Sequence, residues 1–170
     1  MNEISVKAPA KLNLHLQVIA KRDDGFHDLQ TLFTYINLYD QLTFKASKEK
    51  IELKESEPIN DNLVLKAADL LRKRTGYNKG VEISLQKNIP LQKGLGGGSS
   101  DAAATLIALN KLWNLGLTQT ELLDISLELG SDVPFFIFGR SAWAEGRGEI
   151  LSSVDFKEEW YLLYMPKAQI

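Results

Sequence analysis

Four glycines in five positions, followed at once by serine and alanine, constrain this chain more than any other feature. The segment PLQKGLGGGSSDAAATLIALN runs from Pro90 to Asn110. Lacking a Cβ, Gly94, Gly96, Gly97 and Gly98 can adopt left-handed backbone angles and let the main chain approach a ligand closely. Ser99 and Ser100 add hydroxyls, and Ala102, Leu106, Leu109 and Trp113 then recur at helical spacing, with Gly116 placed to end the helix. Free N–H groups and the positive dipole end at such a helix start form an anion site suited to nucleotide phosphates. A plain turn with a capped helix would need fewer glycines and serines. The segment is neither a G-x-x-x-x-G-K-[ST] loop nor a dinucleotide fingerprint.

The flanking sequence reads as strands first, then helices mixed with strands. Leu12, Leu14, Leu16 and Val18 alternate with Lys11, Asn13, His15 and Gln17, which predicts a half-buried strand with one polar face. Further strands are expected at Leu32–Leu38, Gln41–Lys45, Ile51–Lys54 and Val81–Gln86. A helix is expected from an N-cap at Asp61 to a stop at Gly76. Thr118 and Glu121 form a capping-box pattern opening a helix that Gly130 should close. SDVPFFIFG reads as an apolar turn region, SAWAEGRGE as a hairpin, and Trp160–Met165 as a last buried strand. This order argues for an α+β fold rather than a doubly wound parallel sheet.

With 170 residues, 44% hydrophobic and 25% charged, the chain suits one soluble domain. It has no cysteine, which excludes disulfides and thiolate metal sites and fits a reducing compartment. Its 20 basic and 22 acidic residues give a net charge of −2, so nucleic acid is not the favoured partner, although a local loop can still bind a phosphorylated ligand. The N-terminal residues lack an apolar signal core, and no stretch reaches membrane-spanning length; a cytoplasmic location without membrane attachment is the expectation.

The glycine segment resembles the second motif of the GHMP kinases (galacto-, homoserine, mevalonate and phosphomevalonate kinases). APAKLNL at 8–14, DGFHDLQTLF at 24–33, LGSDVPFF at 129–136 and AEGRGE at 144–149 are similar, in the same order, to one branch of them. That branch phosphorylates a hydroxyl of a cytidine diphosphate-linked methylerythritol, a small-molecule substrate. The resemblance implies the N-terminal domain of a GHMP kinase over residues 1–170, with a two-layer βαβ architecture like that of some ribosomal proteins. It also implies that a C-terminal domain, which supplies one wall of the cleft, lies outside these residues.

By the same resemblance Lys11 and Asp132 are catalytic, Asp132 as general base and Lys11 orienting the attacking hydroxyl. Asn13, Phe26 and His27 face the substrate, with Phe26 stacking on cytosine and His27 bonding to it. Phe26 stands where the branch often has tyrosine, which keeps stacking but loses a phenol hydrogen bond. His15 is not catalytic. ATP is held by Pro90, Leu91, Gln92, Lys93, Gly94, Leu95, Gly96, Gly97, Gly98, Ser99 and Ser100, with Asn62 and Lys87 near the adenosine. Mg²⁺ arrives with ATP, and no dedicated metal carboxylate is named. Two other readings stay open: a homoserine- or mevalonate-type kinase, which DGFH opposes, and a non-catalytic nucleotide- or RNA-binding module. These 170 residues alone are expected to bind nucleotide weakly without turnover, and apolar residues left facing solvent would favour self-association.

Overall fold

The structure, a computed structural model, describes residues 2–55, 58–157 and 159–165. Its framework is a long hairpin of β1 (Glu3–Lys21) and β2 (His27–Ser47), with β2 at the centre of the sheet. Along one edge β2 pairs antiparallel with β1; along the other it pairs first with β5 (Ala142–Glu145) and then with β4 (Gly80–Gln86). β3 (Ile51–Glu55) runs parallel to β4, and β6 (Ile150–Ser153) closes the β5 edge. The parallel step needs a crossover, which α1 (Leu63–Thr75) supplies.

Period-two burial shows why one face of the sheet is covered. Val81, Ile83 and Leu85 of β4, and Leu42 and Phe44 of β2, are buried while Glu82, Gln86 and Lys45 turn outward. Over that face lie α1, α2 (Gly97–Leu112), α3 (Gln119–Ser126) and the short α4 (Val133–Phe138). α2 is the hub of this layer, packing on β1, β2, α1 and α4 through buried Ala102, Ala103, Leu106 and Leu109. The result is the expected two-layer α+β arrangement.

Several boundaries depart from the sequence reading. Asn62, not Asp61, caps α1, its Oδ1 accepting the Val64 N–H at 2.9 Å. α2 starts within the glycines and ends at Trp113, before Gly116. The capping box of Thr118 and Glu121 forms as expected, but α3 stops at Leu127, short of Gly130. SDVPFFIFG is not a turn region: Pro134 sits in the first turn of α4, where its missing N–H costs nothing, and Gly139 ends the helix in a left-handed conformation. Leu32–Leu38 and Gln41–Lys45 belong to one strand. Residues Trp160–Met165 form no strand: among the described residues no strand pairs with them, and Trp160, Leu162 and Tyr164 are exposed.

The largest correction concerns β1. Leu14, Leu16 and Val18 are exposed, not buried. Beyond Asn13 the hairpin outruns the helical layer, and a register shift between Asn13 and His15 exchanges the two faces of the strand. Leu16 therefore joins Lys11 and Asn13 along one cleft, while His15 stacks on Trp143 with ring centroids 5.6 Å apart.

Because α2 carries the glycine segment, weakening its buried face should cost global stability. Leu106→Ala is expected to lower the unfolding free energy by about 2–5 kcal/mol, the range for a buried leucine truncation. Chemical denaturation followed by circular dichroism measures this, and a loss below about 1 kcal/mol would contradict the central place given to α2.

Candidate active site

Two adjoining clefts lie at the end of the sheet where β1 meets the start of α2. The first is lined by Leu63, Lys87 and the run Pro90–Ser99; the second by Lys11, Asn13, Leu16, Leu29, Thr31, Phe33, Asp132 and Arg147. Gly94 and Gly96 border both.

The glycines act individually. Gly94 and Gly96 take positive φ, 72° and 69°, which any side chain would strain. Gly97 and Gly98 do not, contrary to the sequence expectation: they are the first residues of α2. Gly96 is also required by contact, since a Cβ there would lie 2.9 Å from both Lys11 Cγ and the Phe136 ring. A Cβ on Gly97 would meet Ile89 at 3.0 Å. The first intrahelical bond runs from the Ser100 N–H to Gly96 O at 2.9 Å, so the amides of Gly97, Gly98 and Ser99 have no intrahelical acceptor. All three residues line the first cleft, at the positive end of a 16-residue helix. The backbone there fits an anion.

In the second cleft Lys11 is buried, yet its ammonium is fully engaged. It donates to Asn13 Oδ1 at 2.7 Å, pairs with Asp132 at 3.1 Å and lies 4.5 Å from the Phe33 ring centroid. Asn13 is oriented in turn by donating to Thr31 Oγ1 at 2.9 Å, and the Thr31 hydroxyl donates to the His15 carbonyl. Asp132 precedes α4 but makes no capping bond, leaving its carboxylate to face the cleft, 38% exposed. An aromatic cluster fixes α4 beneath it. Phe135 packs on Phe33 and Tyr35 at 4.8 and 4.5 Å, and the Tyr35 hydroxyl donates to Phe135 O. Burial raises the Tyr35 pKa, keeping that phenol protonated as a donor.

Phe26 and His27 lie at the exposed tip of the β1–β2 hairpin, with the Phe26 N–H donating to Asp24 Oδ1 at 3.1 Å. Asn62 spends its side chain on capping α1 and donating to Glu55, while its neighbour Leu63 reaches the cleft. Lys87 borders the first cleft, but its ammonium is held by two buried carboxylates, Asp40 and, at 2.7 Å, Asp101. Asp40 also accepts the N–H groups of Asn88 and Ile89, so it anchors the stretch that leads from β4 into the glycine segment. Ser99 lines the cleft, whereas Ser100 is buried with its hydroxyl unpartnered. Among the described residues no group of three carboxylates or histidines could hold a metal ion. Sequence reasoning missed Thr31, Asp40, Asp101 and Arg147. Only Asp101 carried a signal, as the one carboxylate in the helix start GGSSDAAA.

Burial pushes the Asp101 carboxyl up to about 7, the nearby Asp40 adding to the rise and Lys87 opposing it. Between its ordinary value of 3.8 and about 7 the folded protein keeps a proton that the unfolded chain has released. This contribution to stability is therefore complete below the ordinary value and is lost as the pH rises through the folded one. Asp101→Asn removes the titration. Denaturation at pH 5 and pH 8 should show a smaller decline in the variant than in the wild type; equal declines would contradict the assignment.

Residues 62–140 match the family described as GHMP kinases N terminal domain. Over 167 residues, and 96% of its length, the chain is 48% identical to a 4-diphosphocytidyl-2-C-methyl-D-erythritol kinase of Nitrosococcus oceani. It is 52% identical to the kinase of that name from Shewanella halifaxensis. The chain spans 60% and 59% of those two proteins. A crystal structure of 4-(cytidine 5'-diphospho)-2C-methyl-D-erythritol kinase superposes with a TM-score of 0.79 at 41% identity, covering 91% of this chain and 56% of that one. The chain is therefore similar, over nearly its whole length, to part of these kinases, and its residues 62–140 match the N-terminal domain of the GHMP kinases.

Proposed function

We propose that this chain forms the nucleotide-binding and catalytic part of an ATP-dependent kinase that phosphorylates the 2-hydroxyl of 4-diphosphocytidyl-2-C-methyl-D-erythritol. The observation carrying the reading is the Lys11–Asp132 pair, 3.1 Å apart, beside a helix start whose amides have no intrahelical acceptor. Relatives bearing that kinase's name support the substrate.

In this reading the amides of Gly97, Gly98 and Ser99 receive the nucleotide's phosphates, with the α2 dipole behind them. Asp132 accepts the proton of the substrate hydroxyl, whose oxygen bonds to the γ-phosphorus as the bond to the β–γ bridging oxygen breaks and ADP leaves. Lys11 holds Asp132 and the hydroxyl in place, and Asn13 holds Lys11. Cytosine stacks on Phe26 beside His27. Lys87, engaged by Asp40 and Asp101, braces the glycine segment rather than giving its charge to the nucleotide. A Mg²⁺ ion entering with the nucleotide would neutralise phosphate charge and keep mostly phosphate and water ligands.

The test replaces the base without changing its shape. Asp132→Asn, assayed at the length of the curated relatives by ³¹P NMR detection of the new phosphate monoester, should lower turnover about 10²-fold or more. Binding of a non-hydrolysable ATP analogue should hardly change. Near-wild-type turnover, or a wild type that phosphorylates homoserine or mevalonate instead, would contradict the proposal.

A further inference from the structure

The turn between β5 and β6 is built around one arginine. Gly146 and Gly148 flank Arg147 with positive φ of 69° and 110°. The Arg147 N–H donates to Glu149 Oε2 at 2.6 Å, and the Gly148 N–H to Glu145 O at 3.1 Å. Each glycine meets a different end of the second cleft. Gly146 O accepts the Leu29 N–H at 2.7 Å, three residues from Phe26 in the hairpin arm. Gly148 lies against Ser131, the residue before Asp132: a Cβ there would be 3.8 Å from the Ser131 carbonyl. Arg147 is thus carried between the hairpin tip and the Lys11–Asp132 pair.

Its side chain continues that bridge. Arg147 lines the cleft with Lys11, Asn13 and Asp132, while its guanidinium lies 4.4 Å from the Phe26 ring centroid. Stacking on an aromatic face holds a guanidinium flat and leaves its in-plane N–H donors at the rim. The neighbouring cations are already committed, Lys11 to Asp132 and Arg22 to Asp24 and Asp28. Among the described residues Arg147 forms no ion pair; Asp24 feels its charge without bonding to it.

We infer that Arg147 is a specificity-determining residue whose guanidinium binds the diphosphate of a nucleoside diphosphate-linked substrate. The inference rests on the proposed function, which puts a cytosine at Phe26 and the reacting hydroxyl at Asp132. In such a substrate the diphosphate joins these two parts, and its charge falls where the structure holds an unpaired planar cation. A bidentate guanidinium–phosphate contact also fixes how far the reacting end extends past the base. Arg147 therefore selects a diphosphate-bearing substrate over a neutral nucleoside and over a small hydroxy acid.

The test compares cytidine with cytidine diphosphate by calorimetry on the 170-residue chain. A saturating non-hydrolysable ATP analogue keeps the glycine segment from taking the diphosphate. Wild type should bind cytidine diphosphate at least about tenfold more tightly than cytidine, as a charge-assisted contact implies. Arg147→Met, which keeps an apolar stem against Phe26, should bind cytidine as before and lose that preference. Arg147→Lys should keep part of it. A methionine variant that retains the preference, or that weakens both ligands equally, overturns the role given to Arg147 and leaves the proposed function standing. A wild type that binds neither ligand overturns both.

Discussion

Lys11 meets the glycine segment twice. Its backbone N–H donates to Leu95 O at 2.9 Å, and its Cγ leaves no space for a side chain on Gly96. The first contact docks the loop on the central hairpin; the second brings the start of α2 against the stem of the lysine that pairs with Asp132. The two clefts share a wall for this reason, and the positions of the α2 start and the Lys11–Asp132 pair are not independent. A flexible glycine loop would carry no such constraint. Here the loop is held by a strand on one side and by a buried helix on the other.

Beneath it, Asp40, Lys87 and Asp101 form a second anchor. Removing charges from water is costly, and a buried group of two carboxylates and one ammonium endures because most of its atoms are hydrogen-bonded. Asp40 meets this condition through two backbone amides and Lys87. Asp101 meets it less well, with Oδ1 unpartnered, and its raised pKa is the electrostatic expression of that shortfall. The ionic group joins β2, the end of β4 and α2, the three elements that bound the entrance to the glycine segment.

Local chemistry was legible where one residue type has one common use. The Thr118–Glu121 capping box and the strand–helix–strand order of β3, α1 and β4 followed directly from pattern. Lys11 and Asn13 share a face because alternation requires it. The reading failed where a tertiary feature interrupts the pattern. The register shift after Asn13 cannot be seen in an alternating sequence, and it moves Leu16 to the cleft side. Helix α4 is too short to show a period, and Phe33 and Tyr35, a hundred residues away, hold it. The same limit hid Asp40, Thr31 and Arg147, each an ordinary polar residue until the fold gives it a neighbour.

In the proposed function nucleotide phosphates meet the backbone at the start of α2. Amide NMR of the ¹⁵N-labelled chain, titrated with a non-hydrolysable ATP analogue, observes those groups directly. The largest shifts should fall on Gly96, Gly97, Gly98 and Ser99, with smaller ones at Lys11, whose backbone is bonded to Leu95. Saturable shifts centred elsewhere on the chain, with these amides unmoved, would contradict it.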